Sequence, residues 1–126
     1  MNLGYQLQLD AASIPKAIRT YLQYWREHPD AFRINLWRLL DGPTDERKSR
    51  SRNLNERSVP LFKRAQQAGL LRNDMPTGLV LCIAGALVQF WLHSRIEMQD
   101  AIEIGGQDMP DEETFIRHII QLIAKS

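Results

Sequence analysis

The chain has 126 residues, 44% of them hydrophobic and 25% charged, with a formal net charge of +1. That length holds one domain with a core of its own and not two, and the composition excludes a disordered or fibrous chain. A net charge so near zero excludes a bulk pull toward nucleic acid or anionic lipid, and the single cysteine, Cys82, excludes an internal disulfide and a cysteine-based metal framework.

Charge is nevertheless unevenly placed. Asp45 to Arg64 holds seven bases against three acids, whereas the stretch from Glu97 onward holds seven acids against Arg117 and Lys125. The opening MNLGYQLQ has neither the basic nor the apolar region of a secretory signal, which makes the cytoplasm the default compartment.

Residues 1–12 read as a polar lead-in, and residues 13–126 as one helical domain. Ser13 is expected to cap a first helix with Pro15 in its opening turn, where a missing N–H costs nothing. Ile14, Ala17, Ile18, Tyr21, Leu22 and Trp25 follow helical spacing on one face. Pro29 ends that helix, and a second runs from Ala31 to Leu40 with Phe32, Leu36, Leu39 and Leu40 on one side, broadened by Ile34 and Trp37. Asp41-Gly42-Pro43 is a break.

Thr44, with Asp45 and Glu46 behind it, is a cap with acids at the positive end of a helix dipole. The third helix that follows is very polar until Leu54, Leu61, Phe62, Ala65 and Ala68 form a stripe. Pro60 lies within it, and one kinked helix is the favoured reading over a frayed arm and a shorter helix. Gly69 fits the left-handed residue after a helix end, with Leu70 as the hydrophobic contact behind it.

Asp74 is expected to cap the fourth helix, whose centre, Gly78–Leu92, has one polar side chain (Gln89) in fifteen positions. A helix apolar all round must be wrapped by other groups, and the run is shorter than the roughly 20 residues a bilayer demands. Ile96, Met98, Ala101 and Ile102 extend the helical spacing to Gly105-Gly106, which makes one helix of about 30 residues, roughly 45 Å long. Asp108, Pro110, Asp111, Glu112 and Glu113 announce the last helix with an acid-rich first turn, and Phe115, Ile116, Ile119, Ile120, Leu122 and Ile123 cover more than half its circumference.

The expected architecture is therefore an all-α, five-helix orthogonal or antiparallel bundle. Its last two helices carry more apolar surface than one chain covers, which predicts an isologous dimer closed by a four-helix bundle. Gly78, Cys82, Gly85, Ile96, Phe115, Ile116, Ile119, Ile120 and Ile123 are its candidate interface residues. Cys82 itself reads as an inert buried thiol.

HPDAFRINLWRLLDG (His28–Gly42), followed by AGLLRNDMPTGLVLCIAGAL (Ala68–Leu87), resembles the C-terminal, effector-binding and dimerisation domain of TetR-family transcriptional regulators. The likeness runs from about Ser13 to Ala124. The family's N-terminal helix-turn-helix has no counterpart in this sequence, so the resemblance implies an excised domain or a stand-alone relative, with DNA read only through a helix-turn-helix not present here. It also implies a cavity between the helices for a small, often apolar effector, whose binding shifts the population of two dimer geometries.

Candidate lining groups for such a cavity are the aromatics Trp25, Phe32, Trp37, Phe62, Phe90 and Trp91, with Gln89 and His93 as polar anchors. Each aromatic has the alternative of being ordinary core. Gln89 requires a partner, which is a ligand, another side chain or its own copy across a dimer axis. His28, His93 and His118 lack metal-ligand spacing, and no nucleophile constellation or phosphate loop is present, so no metal, cofactor or enzymatic activity is expected. The basic run Arg47–Arg52 is a solvated arm, with phosphate contact as its alternative. These readings give a ligand-sensing, dimerising regulator domain, with a stand-alone helical protein-interaction module as the alternative.

Overall fold

The computed structural model describes residues 9–125, so residues 1–8 of the expected lead-in lie outside the described residues. Six helices occur among the described residues: α1 (Ser13–Glu27), α2 (Pro29–Leu40), α3 (Asp45–Gln67), α4 (Thr77–His93), α5 (Arg95–Ile104) and α6 (Glu112–Ile123). There is no strand among them, only an isolated antiparallel bridge between Leu71 and Ala124.

The core forms where four amphipathic faces meet. Ile14, Ile18 and Leu22 of α1, Phe62 and Ala65 of α3, Val80, Ala84, Val88 and Trp91 of α4, and Phe115, Ile116, Ile119 and Ile123 of α6 pack together with Leu71. Each large aliphatic group fully removed from water contributes about 1.5–3 kcal/mol. Helix α4 is the hub and packs on α1, α3 and α6, while α2 rests chiefly on α1 and buries no residue of its own.

The fourth helix is not continuous to Gly105. It ends at His93, and α5 leaves at 95°. Ser94, at φ −131° and ψ 36°, closes α4 through its N–H on the Phe90 carbonyl at 2.8 Å, and its own carbonyl starts α5 by accepting from Met98 at 3.0 Å. Serine competes with the backbone for hydrogen bonds and suits such a break, and the bend returns Met98 to the core. A straight helix would carry that side chain away into water. Five expected helices thus become six.

Two expected caps are also corrected. Ser13 is the first helical residue after an Ala12 N-cap, and the α4 N-cap is Pro76, not Asp74. Asp74 is instead held by Arg72 through two hydrogen bonds of 2.7 Å, which keeps its carboxyl below the usual carboxylate range. The turn before α4 is fixed from α3: the Gln66 side-chain amide donates to the Arg72 carbonyl at 2.9 Å and the Met75 carbonyl at 3.2 Å, and accepts from the Thr77 hydroxyl.

Elsewhere the local signals hold. Thr44 accepts from the Arg47 N–H at 3.1 Å, and the acid-rich opening of the last helix is found, with Asp111 as its cap by accepting from the Thr114 N–H at 2.8 Å. Gly69 has φ +78°, with the Leu70 N–H returning to the Ala65 carbonyl at 2.9 Å. Helix α3 runs unbroken through Pro60. Its polar first half, residues 45–57, stands in solvent as an arm, and only its last turns reach the core.

Candidate functional site

The C-terminal end of α4 meets the α1–α2 corner, and five of the eight candidate pocket residues converge there. Trp25 of α1 is 9% exposed. Phe32 of α2 stands edge-on to it at 5.4 Å between ring centres, and His93 of α4 stacks on Phe32 at 6.4 Å. Phe90 closes edge-on to His93 at 5.9 Å, and the Gln89 amide donates to the Tyr21 hydroxyl at 2.8 Å. Of the three partners open to Gln89 in the sequence, another side chain is the one found.

Tyr21 and Tyr24 stand edge-on to Trp25 at 6.1 and 5.2 Å, and His28 stacks on Tyr24 at 4.4 Å. These three were not singled out as site residues. Tyr21 had a usable signal, since it lies one helical turn before Trp25 on the same face. Within this aromatic shell the Trp25 Nε1–H is fully buried and has no hydrogen-bond partner among the described residues. Such an orphan donor is rare in a folded interior.

The other three pocket candidates are elsewhere. Phe62 belongs to the α3–α4 core. Trp91 is buried against Phe115, stacked at 4.2 Å, and its Nε1–H donates to Glu112 at 3.0 Å. Trp37 is 71% exposed on α2, in a row of exposed apolar groups with Ile34, Leu39 and Leu40. Two surface depressions, beside the α3 arm (Lys48, Ser51, Arg52, Asn55, Glu56, Val59, Pro60) and between α1 and α6 (Pro15, Arg19, Glu113, Ile116, Arg117, Ile120), are lined by none of the eight.

Glu112 is a second focus. Arg26 of α1 grips its carboxylate, with one hydrogen bond of 2.7 Å and a closer second one, while Trp91 of α4 donates to it. Arg26 is the main cause that holds the Glu112 carboxyl below its usual range, against partial burial, and the Trp91 N–H adds to it. The Arg95 guanidinium covers the Trp91 ring at 4.4 Å. Two turns earlier on α1, Arg19 makes a two-pronged, more exposed pair with Glu113. The α1–α6 contact is thus closed by two adjacent arginine–glutamate clamps, of which one is backed by an indole N–H.

The expected pairing residues divide. Gly78 and Cys82 lie exposed on the outer face of α4, Gly85 is half-exposed beside them, and Leu79, Ala86 and Phe90 extend the same face. Cys82 is therefore an exposed thiol and not a buried one. Phe115, Ile116, Ile119 and Ile123 are enclosed in the core of a single chain, which leaves Ile120 and Leu122 as the partly uncovered apolar groups of α6. The physical reason is that α1 packs across α6 and takes most of the apolar arc that the sequence left for a partner. Ile96 is exposed on α5, beyond the bend.

Among the described residues no three His, Cys, Asp or Glu side chains converge, and no single helix is long and apolar enough to cross a membrane. Arg47–Arg52 lies on the solvated arm of α3, where Arg52 pairs with Glu56 at 3.0 Å.

The described residues are thus all helical, with an aromatic junction where α1, α2 and α4 meet and an uncovered apolar face on α4. Residues 14–122 match the family described as the tetracyclin repressor-like C-terminal domain, and the chain belongs to it. That family is a regulatory one and not enzymatic. No curated protein and no solved structure matches the chain significantly.

Proposed function

We propose that this chain is the effector-sensing and dimerisation domain of a TetR-like transcriptional regulator, with no catalytic role and with DNA read by a separate helix-turn-helix head. The observation that carries the reading is that α4 serves both surfaces at once. Its end supplies Gln89, Phe90 and His93 to the aromatic junction, and its outer face presents Gly78, Leu79, Cys82 and Ala86 without cover. A ligand at the junction therefore bears on the same rigid element that would pack against its copy across a two-fold axis. Its differential affinity for two dimer geometries would set their populations.

Small residues at Gly78, Cys82 and Ala86 favour close approach of a second α4, and a Cβ added at Gly78 or Gly85 meets open space. The dimer is tested by light scattering at micromolar concentration, where twice the chain mass is expected. Leu79→Asp, which places a charge within that face near its N-terminal end, is expected to return the chain mass with helicity retained. A well-folded monomer from the parent sequence refutes the pairing. Sensing is tested by a thermal-shift panel of varied small molecules, since a ligand selective for the native state at 100 times its Kd adds about 2.7 kcal/mol.

Helix α2 favours a second reading as a protein-interaction module. It buries no residue, while Ile34, Trp37 and Leu39 are exposed and Leu40 is 86% exposed.

A further inference from the structure

The orphan donor at Trp25 and the weak anchoring of α2 bear on one another. A buried N–H without an acceptor is a standing cost to the folded state, removed by whatever brings an acceptor to it. The groups around this one are rings: Tyr21 and Tyr24 from α1, and Phe32 from α2. Ring faces give an N–H only second-order compensation. Phe32 is the ring carried by a helix without a single buried residue, packed chiefly on α1. Few buried apolar contacts mark an element that opens locally at low free energy. Phe32 also stacks on His93, so the covering side chains come from two helices, α2 and α4.

Charge narrows the chemistry. Arg26 is engaged by Glu112, Arg38 by Glu46, and Arg95 lies over Trp91. The side chains against the indole itself are the uncharged rings of Tyr21, Tyr24 and Phe32, so an anionic guest there would be desolvated without compensation.

We infer that the junction takes a neutral, planar aromatic compound carrying a carbonyl-type acceptor, which accepts from the Trp25 Nε1–H after Phe32 swings out with α2. This rests on the sensing reading and specifies its ligand class. The guest's ring takes the place of Phe32 against Trp25 and His93, and its oxygen satisfies the donor. In the unliganded chain the same site is filled by the lid.

The test uses the whole chain labelled with 15N and two small probes that differ by one carbonyl, 1-indanone and indane. Three indole N–H resonances are expected from the three tryptophans, and Trp25→Phe assigns the relevant one by its loss. 1-Indanone is expected to move the Trp25 resonance downfield, to slow its exchange with solvent, and to bind about three- to tenfold more tightly than indane. In Trp25→Phe that preference is expected to vanish. Should Trp25→Phe fold poorly, Phe32→Ala, which keeps the donor, is expected to retain the preference and to exchange the indole proton faster.

Indane bound at the same residues as tightly as the ketone overturns the acceptor chemistry while leaving sensing intact. If neither probe perturbs Trp25, the inference falls, and sensing is then judged by the broader thermal-shift panel. Ketone binding that leaves Phe32 and α2 unshifted overturns the lid.

Discussion

The two clamps between α1 and α6 differ in one respect that has a measurable consequence. Arg19–Glu113 is exposed on both sides, at 49% and 60%, and pairs of that kind are screened by solvent and contribute little. Glu112 is better covered and has a second donor, the Trp91 Nε1–H at 3.0 Å. Glu112→Ala therefore removes a partly shielded pair and also leaves a buried indole N–H without its acceptor, a loss of about 1–3 kcal/mol by itself. Together about 2–3 kcal/mol is expected, and Glu113→Ala is expected to lose clearly less. The two residues adjoin in the first turn of α6, so the helix-dipole contribution is common to both and cancels in the comparison. A chain of this length changes its Tm by about 4 °C per kcal/mol, giving about 8–12 °C for Glu112→Ala and a clearly smaller shift for Glu113→Ala. Thermal unfolding followed by circular dichroism at 222 nm, at pH 7 and one fixed protein concentration, reads both. Equal losses at the two positions, or a loss under about 0.5 kcal/mol at Glu112, would refute the assignment of structural weight to the Trp91–Glu112 contact.

The same carboxylate sets a pH dependence. Its folded pKa is depressed, so its contribution is complete above the unfolded value near 4.3 and is lost as pH falls through the folded value. The Tm difference between the parent and Glu112→Gln is therefore expected to shrink as pH is taken from about 5 toward 3; a constant difference contradicts the linkage. Gly69→Ala is expected to cost about 1 kcal/mol in chemical denaturation, because φ is +78° and an added Cβ meets nothing within 4 Å, so backbone strain is the whole effect. Cys82 is expected to react readily with a thiol reagent at nanomolar protein and to be shielded as concentration rises into the dimeric range. A rate independent of concentration places it outside the pairing face.

Local devices in this chain were legible in the sequence because they are decided by a few adjacent residues. The Thr44 cap, the acid-rich opening of the last helix, the left-handed turn at Gly69 and the α1 stripe Ile14, Ile18, Leu22 and Trp25 all formed as their spacing dictates. The candidate site was half legible. Aromatic and amide character marked Trp25, Phe32, Gln89, Phe90 and His93, but that these meet, and that Trp91 and Phe62 do not join them, depends on how α1, α2 and α4 cross. Nothing in sequence separates a ring that lines a junction from one that fills a core, since both require the same apolar surface. The break at Ser94 was hidden for a related reason. Apolar spacing continues through it, and only the return of Met98 to the core decides that the chain turns by 95°.

The sequence by itself determined an all-helical domain, most helix ends and an α4 too apolar for one neighbour. Tertiary structure alone decided which apolar faces remain free: α1 claims the inner arc of α6, α4 keeps its outer face uncovered, and the Trp25 indole is shut in beneath a loosely held helix. Periodicity counts how much surface must leave water, whereas the crossing of helices determines which surface covers which.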